Sequence, residues 1–161
     1  MLVIGVPLLS ISCSGDRSSP GAPEVKLQPN GSSAALPPSK GMPRVTVDRV
    51  GDVVDPLNKG PVPVPLGGDI VVSGFAIDEP AHALASAVDI AIDGLPFAAH
   101  YHIDRLDVAD FFKMPVYGKA GYQFTVPARF FGKGKHPLVA RVIASDGKSY
   151  YEGPPLTIDI Q

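Results

Sequence analysis

AVDIAIDGLPFAAHYH, residues 87–102, decides the fold. Val88, Ile90 and Ile92 alternate with Ala87, Asp89 and Ala91, the two-residue period of a strand with one buried face. Asp93-Gly94 follows at once, and Asp-Gly takes the positive φ angles that a tight two-residue turn demands. A second extended run comes after it, so residues 87–102 are predicted as one β-hairpin. Working outward, RVTVDRV (44–50), DIVVSGFAI (69–77), Tyr122 to Val126, LVARVIA within Pro137 to Ala144, and Leu156 to Ile160 have the same character, with Gly, Pro and Asp between them. Asp146-Gly147 marks a further turn. Only DRLDVADFF (104–112) breaks the alternation: Leu106, Val108, Phe111 and Phe112 lie nearer helical spacing, with Asp104 placed to cap a single helical turn. The sum is an all-β chain of seven or eight strands, expected as an antiparallel sandwich with Greek-key connections. The absence of any long helical pattern excludes a doubly wound α/β fold.

Composition narrows the function classes. The 161 residues carry 14 Lys and Arg against 16 Asp and Glu, a formal charge of -2, without the cationic excess that nucleic-acid binding needs. A single Cys allows neither an internal disulfide nor a thiolate zinc cluster, and there is no Trp to supply a large stacking platform. No cofactor is expected.

The N-terminus reads as an address. Residues 2–11, LVIGVPLLSI, are an apolar run too short to span a bilayer but suited to the apolar part of an export signal, and Ser12 and Cys13 follow directly. An export segment that ends in small residues before a lone cysteine resembles the lipobox of bacterial lipoproteins. It departs from that pattern in having no Lys or Arg before the apolar run, and Ser10 where Leu is usual. The resemblance implies that Cys13 becomes the lipid-modified first residue of an exported chain, and Ser14 in place of Asp favours an outer membrane or cell surface. Residues 14–43 hold six Pro, six Ser and four Gly, a composition that buries too little apolar surface to offset ordering. The domain expectation is therefore a signal peptide over 1–12, a lipid-anchored linker over 13–43 reaching roughly 30 Å, and a sandwich over 44–161.

GFAID (74–78), VDIAIDG (88–94), RLDVADFF (105–112), GYQFTVPA (121–128), PLVARVIASDG (137–147) and the pair Tyr150-Tyr151 together resemble bacterial immunoglobulin-like domains of exported proteins. The match covers about residues 69–151, with Phe75 where Trp is common and Leu106 where Pro is common. Such domains are mostly accessory or binding modules, so the resemblance implies a non-catalytic, extracytoplasmic role with an envelope protein or glycan as partner. It carries over no catalytic residue.

Several clusters are candidates for chemistry. His100, His102 and Asp104 share one face of an extended strand and could ligate a metal, as a small hydrolase would require, given a converging partner from His82 or His136. Asp104, Asp107 and Asp110, spaced by three, lack the loop pattern of a calcium site. Asp78-Glu79, after the strand GFAI, is a candidate for the same rim, since loop ends cluster in sandwiches. Arg129, Lys133, Lys135 and His136, interleaved with Phe130 and Phe131, form the one basic and aromatic cluster, and Arg129, Phe131, Lys133 and Lys135 with Tyr101 and Arg105 make up the expected binding surface. Five tyrosines, at 101, 117, 122, 150 and 151, would favour a carbohydrate-binding module if three or more formed one exposed face, and would disfavour it if they lie buried as corner braces. No G-x-S-x-G elbow or phosphate-cradling loop is present.

Overall fold

In the computed structural model, residues 27–41 and 43–161 are described, and every structural statement below concerns these. Cys13 and the apolar segment lie outside them. The chain order is β1 (Arg44–Val50), β2 (Val53–Val54), β3 (Val62–Val64), β4 (Asp69–Asp78), β5 (Ala83–Leu84), β6 (Ala87–Ile92), β7 (Leu95–Ala98), β8 (His100–Ile103), α1 (Leu106–Phe112), β9 (Gly121–Pro127), β10 (Gly134–Ile143), β11 (Tyr150–Glu152) and β12 (Leu156–Ile160). Eight of these strands have four or more residues, against the seven or eight expected from the sequence. The remaining four are two- or three-residue additions too short to show a period.

Two sheets face one another. The first has the order β2-β1-β4-β9-β8, with β5 on β4; the second has β3-β12-β10-β6-β7, with β11 on β10. Val45, Val47, Ile70 and Val72 of the first meet Val88, Ile90, Ile92, Leu138 and Ile158 of the second in one buried core. Each such side chain contributes roughly 1.5–3 kcal/mol by leaving water. The fold is thus an all-β sandwich. It is not wholly antiparallel, because β3 lies parallel to β12, with Ile158 opposite Val62.

The decisive hairpin forms around Asp93 (φ 53°) and Gly94 (φ 79°), but it ends at Ala98 rather than at 102. After the bond from Ala99 N–H to the Val88 carbonyl the chain crosses to the other sheet, where β8 pairs with β9. The buried Tyr101 draws it there.

Residues 27–41 correct the expected linker, since they are docked on the sandwich as a strap. Asn30 and Gly31 extend the edge of β7, through Gly31 N–H to the Pro96 carbonyl (3.0 Å) and Ala98 N–H to Asn30 Oδ1 (3.0 Å). The 3-10 turn Ser32–Ala35 then covers the outer face of β6, where Ser33 N–H donates to Asp89 Oδ2 at 2.7 Å. Asp89 is consequently 0% exposed although it points away from the core. Pro38 finally makes a parallel bridge with Tyr150, whose N–H and carbonyl bond Pro37 and Ser39. Gly31 is required by contact: a Cβ there would lie 2.7 Å from Asp89 Oδ2 and 2.7 Å from Pro96 Cβ. Proline-rich, aperiodic composition concealed all this, because the strap is held by hydrogen bonds and one buried carboxylate rather than by an apolar stripe.

Candidate functional site

The site builds up from the outer face of β4. Phe75 and Ile77 point away from the main core and would be wet without a cover. That cover is α1 with the 3-10 turn Pro115–Lys119: Ile77, Val108, Tyr117 and Ala120 form a second small core, with Phe75, Phe112 and Met114 against it. A seven-residue helix can turn only one stripe inward. Val108 and Phe112, four apart, take the inner stripe; Leu106 and Phe111 are left 70% and 79% exposed. Lys113 ends the helix in the left-handed conformation (φ 56°), its N–H shared between the Ala109 and Asp110 carbonyls.

Beside the exposed ring runs a groove of about 500 Å³ lined by Phe75, Phe111, Phe112, Thr46, Arg44 and Arg105. Its aromatic rings meet edge to face, Phe112 at 5.0 Å from Phe111 and 6.1 Å from Phe75. Both guanidinium groups lie over rings, Arg44 at 5.5 Å from Phe112 and Arg105 at 5.5 Å from Phe75. Both are also held in plane by carboxylates. Arg44 makes a two-pronged pair with Glu79 (2.8 and 3.2 Å), and Arg105 makes one with Asp107 (2.8 and 2.9 Å) while reaching Asp48 at 2.7 Å. The hydrogen bond to Asp107 holds Arg105 above the ordinary guanidinium range, and the reciprocal bond holds Asp107 below the carboxylate range. Glu79 is lowered in the same way by Arg44.

Of the six residues expected to form the binding surface, Arg105 alone lies in this groove, beside Asp107 of the acidic triplet. Tyr101 does not line a surface: it is buried, its hydroxyl donating to the Ala76 carbonyl (2.6 Å) and accepting from Ala85 N–H (3.2 Å). Burial pushes its phenol up to about 12. Arg129, Phe131, Lys133 and Lys135 sit at the far end of the sandwich, since β9 runs from Gly121 beside α1 to Pro127 before them. There Phe131 is half-buried against Phe97 (5.8 Å), Arg129 lies over Phe130 (5.3 Å), and the two lysines are exposed. The six expected surface residues therefore do not form one surface.

The metal candidates diverge. A bulge between Tyr101 and Ile103 puts His102 at φ 68°, which ends the alternation that would have aligned it with His100. Asp104 pairs with Lys119 at 2.7 Å rather than capping α1, whose N-cap is Arg105. His136 bonds Asp93 at 2.7 Å. Among the described residues no group of three or more His, Cys, Asp or Glu side chains is placed to hold a metal ion. Asp107 and Asp104 serve separate ion pairs, so the acidic triplet is not a shared site. Asp78, expected on the rim, is buried and accepts Ser145 N–H at 2.7 Å. Tyr117, Tyr122 and Tyr151 are buried as well, and Tyr150 lies under Arg141 (4.9 Å), so the tyrosines do not make an exposed face.

A second concavity, of about 550 Å³, lies between Phe97, Gln123 to Val126 and the strap residues Leu27 to Asn30. It is the seam along which the strap joins the sandwich.

No family model and no curated protein matches the chain. Among solved structures, the endo-beta-1,4-mannanase from Thermotoga petrophila is similar at a TM-score of 0.42 and 13% identity, over 63% of this chain and 18% of that one. This chain spans under a fifth of the enzyme's length, and a likeness that faint carries no argument about function.

Proposed function

We propose that this chain is a non-catalytic β-sandwich lipoprotein of the cell envelope, tethered to a membrane through Cys13, and a binding or structural module whose contact surface is the α1 groove. One observation carries the binding role: the large apolar side chain of Phe111 stays in water on α1, in a groove whose two arginines are each paired with a carboxylate. Concave apolar sites with a few fixed polar groups are the ordinary form of a ligand site. The non-catalytic reading is supported by the groove's carboxylates, each committed to an arginine and so not poised as an acid or base. The address is supported by LVIGVPLLSISC, and the immunoglobulin-like reading by the Asp-Gly hairpin and the bracing tyrosines. Docking of the strap leaves at most residues 14–26 between Cys13 and the folded chain.

The address is tested by intact mass and membrane fractionation of wild type beside Cys13→Ala in a bacterial host. A membrane-bound species with a lipid mass increment absent from the variant is the expected result. A soluble, unprocessed chain in both cases overturns the lipoprotein reading.

A further inference from the structure

Resting on the reading of the α1 groove as a contact surface, we propose that its ligand is a neutral saccharide, with a sugar ring lying on the Phe111 face and hydroxyl groups engaging the Arg44–Glu79 and Arg105–Asp107 pairs.

The charge balance argues first. Around the groove stand Arg44 and Arg105 against Glu79, Asp48 and Asp107, each cation already bound to a carboxylate at 2.7–2.8 Å. An anionic ligand would have to displace those carboxylates or sit beside them, so phosphates and acidic peptides are disfavoured. A wholly apolar occupant fits no better. Each guanidinium has five N–H donors; Arg44 places two and Arg105 three of them on carboxylates. Hydrocarbon laid over the donors that the carboxylates do not take offers them no acceptor, and an unpaired buried donor is costly.

What fits is a ligand with an apolar flat face and a hydroxyl edge. A pyranose ring offers axial C–H groups to the phenyl face, while adjacent hydroxyls accept from a guanidinium N–H and donate to the carboxylate beside it. A bidentate arginine–carboxylate pair displays that donor and acceptor side by side in one plane. The groove's volume of about 500 Å³ lies in the range of small-ligand sites. Burial of the tyrosines removes the tyrosine face expected of a carbohydrate-binding module, so the saccharide rests on Phe111 and the two ion pairs alone.

Calorimetric titration of the full chain with neutral gluco-, manno- and galacto-oligosaccharides, and with oligogalacturonate as anionic counterpart, tests this. At least one neutral series is expected to bind, and the anionic one more weakly. Phe111→Ala, at an exposed position that folding does not need, should weaken binding about tenfold. Arg105→Lys, which keeps the charge and loses the fork, should also weaken it, and Arg129→Ala at the far end should leave it unchanged. Failure of all three neutral series to bind, or equal binding by Phe111→Ala, overturns the proposal. A protein ligand lost on Phe111→Ala would overturn the saccharide and keep the groove. The lipid mass experiment contains no sugar, so address and ligand can fail separately.

Discussion

Tyr101 and Gly74 show how single residues fix the sandwich from inside. The Tyr101 hydroxyl ties β8 to the Ala76 carbonyl and the Ala85 N–H, so Tyr101→Phe leaves both buried groups short of a partner. A loss of about 1–3 kcal/mol is expected from the denaturation midpoint, and an unchanged midpoint would show that those groups find water instead. Gly74 lies where a Cβ would run into the Thr46 carbonyl and come within 2.9 Å of the Tyr122 hydroxyl, itself bonded to that carbonyl at 2.8 Å. Gly74→Ala should therefore destabilise by roughly 3 kcal/mol, near the top of the overpacking range, because the obstacle is backbone. At this scale the sequence was legible in part. Arg105 was visible as a basic residue beside a helix, but Tyr101 was ambiguous, since a tyrosine in a strand reads the same whether its hydroxyl meets water or a carbonyl. The pair Phe111-Phe112 held the missed signal: side chains one position apart on a seven-residue helix cannot both be buried by one sheet.

Among the elements, those with a strong period were readable and the strap was not. β1, β6 and β12 fall on the boundaries their alternation set, and the Asp93-Gly94 turn is where its dipeptide placed it. The strap has no period to read; its anchor is one carboxylate that looked like an ordinary outward residue of β6. Replacing that group tests the anchor. Asp89→Ala leaves the buried Ser33 N–H unpaired and should cost about 1–3 kcal/mol. It should also make residues 32–41 the first site of limited proteolysis, an effect that Asp89→Asn, which keeps an acceptor oxygen, should largely avoid. Equal cleavage of all three proteins would mean that the Asn30 and Gly31 bonds to β7 and the Pro38–Tyr150 bridge hold the strap without Asp89.

For the molecule as a whole, the buried phenols set the alkaline limit of stability. Tyr101 titrates near 12 in the folded chain against about 10 when unfolded, and burial raises Tyr122 further in the same direction. A group whose folded pKa lies above its unfolded one holds its proton better in the native state. Its contribution is complete below pH 10 and falls away as pH rises from 10 to 12. Unfolding followed by circular dichroism should thus coincide with tyrosine ionisation in that interval; ionisation of all five tyrosines well below it, with the fold intact, would contradict the burial. The strap gives the molecule a property of another kind. Its anchor points lie in series along the chain, at β7, then β6, then β11, all ahead of β1. Tension drawn through Leu27 must break them one after another before it loads a strand of the core. The strap then acts as a mechanical fuse, paying out roughly 50 Å of chain from residues 27–41, at about 3.3–3.6 Å per residue, while the sandwich stays whole.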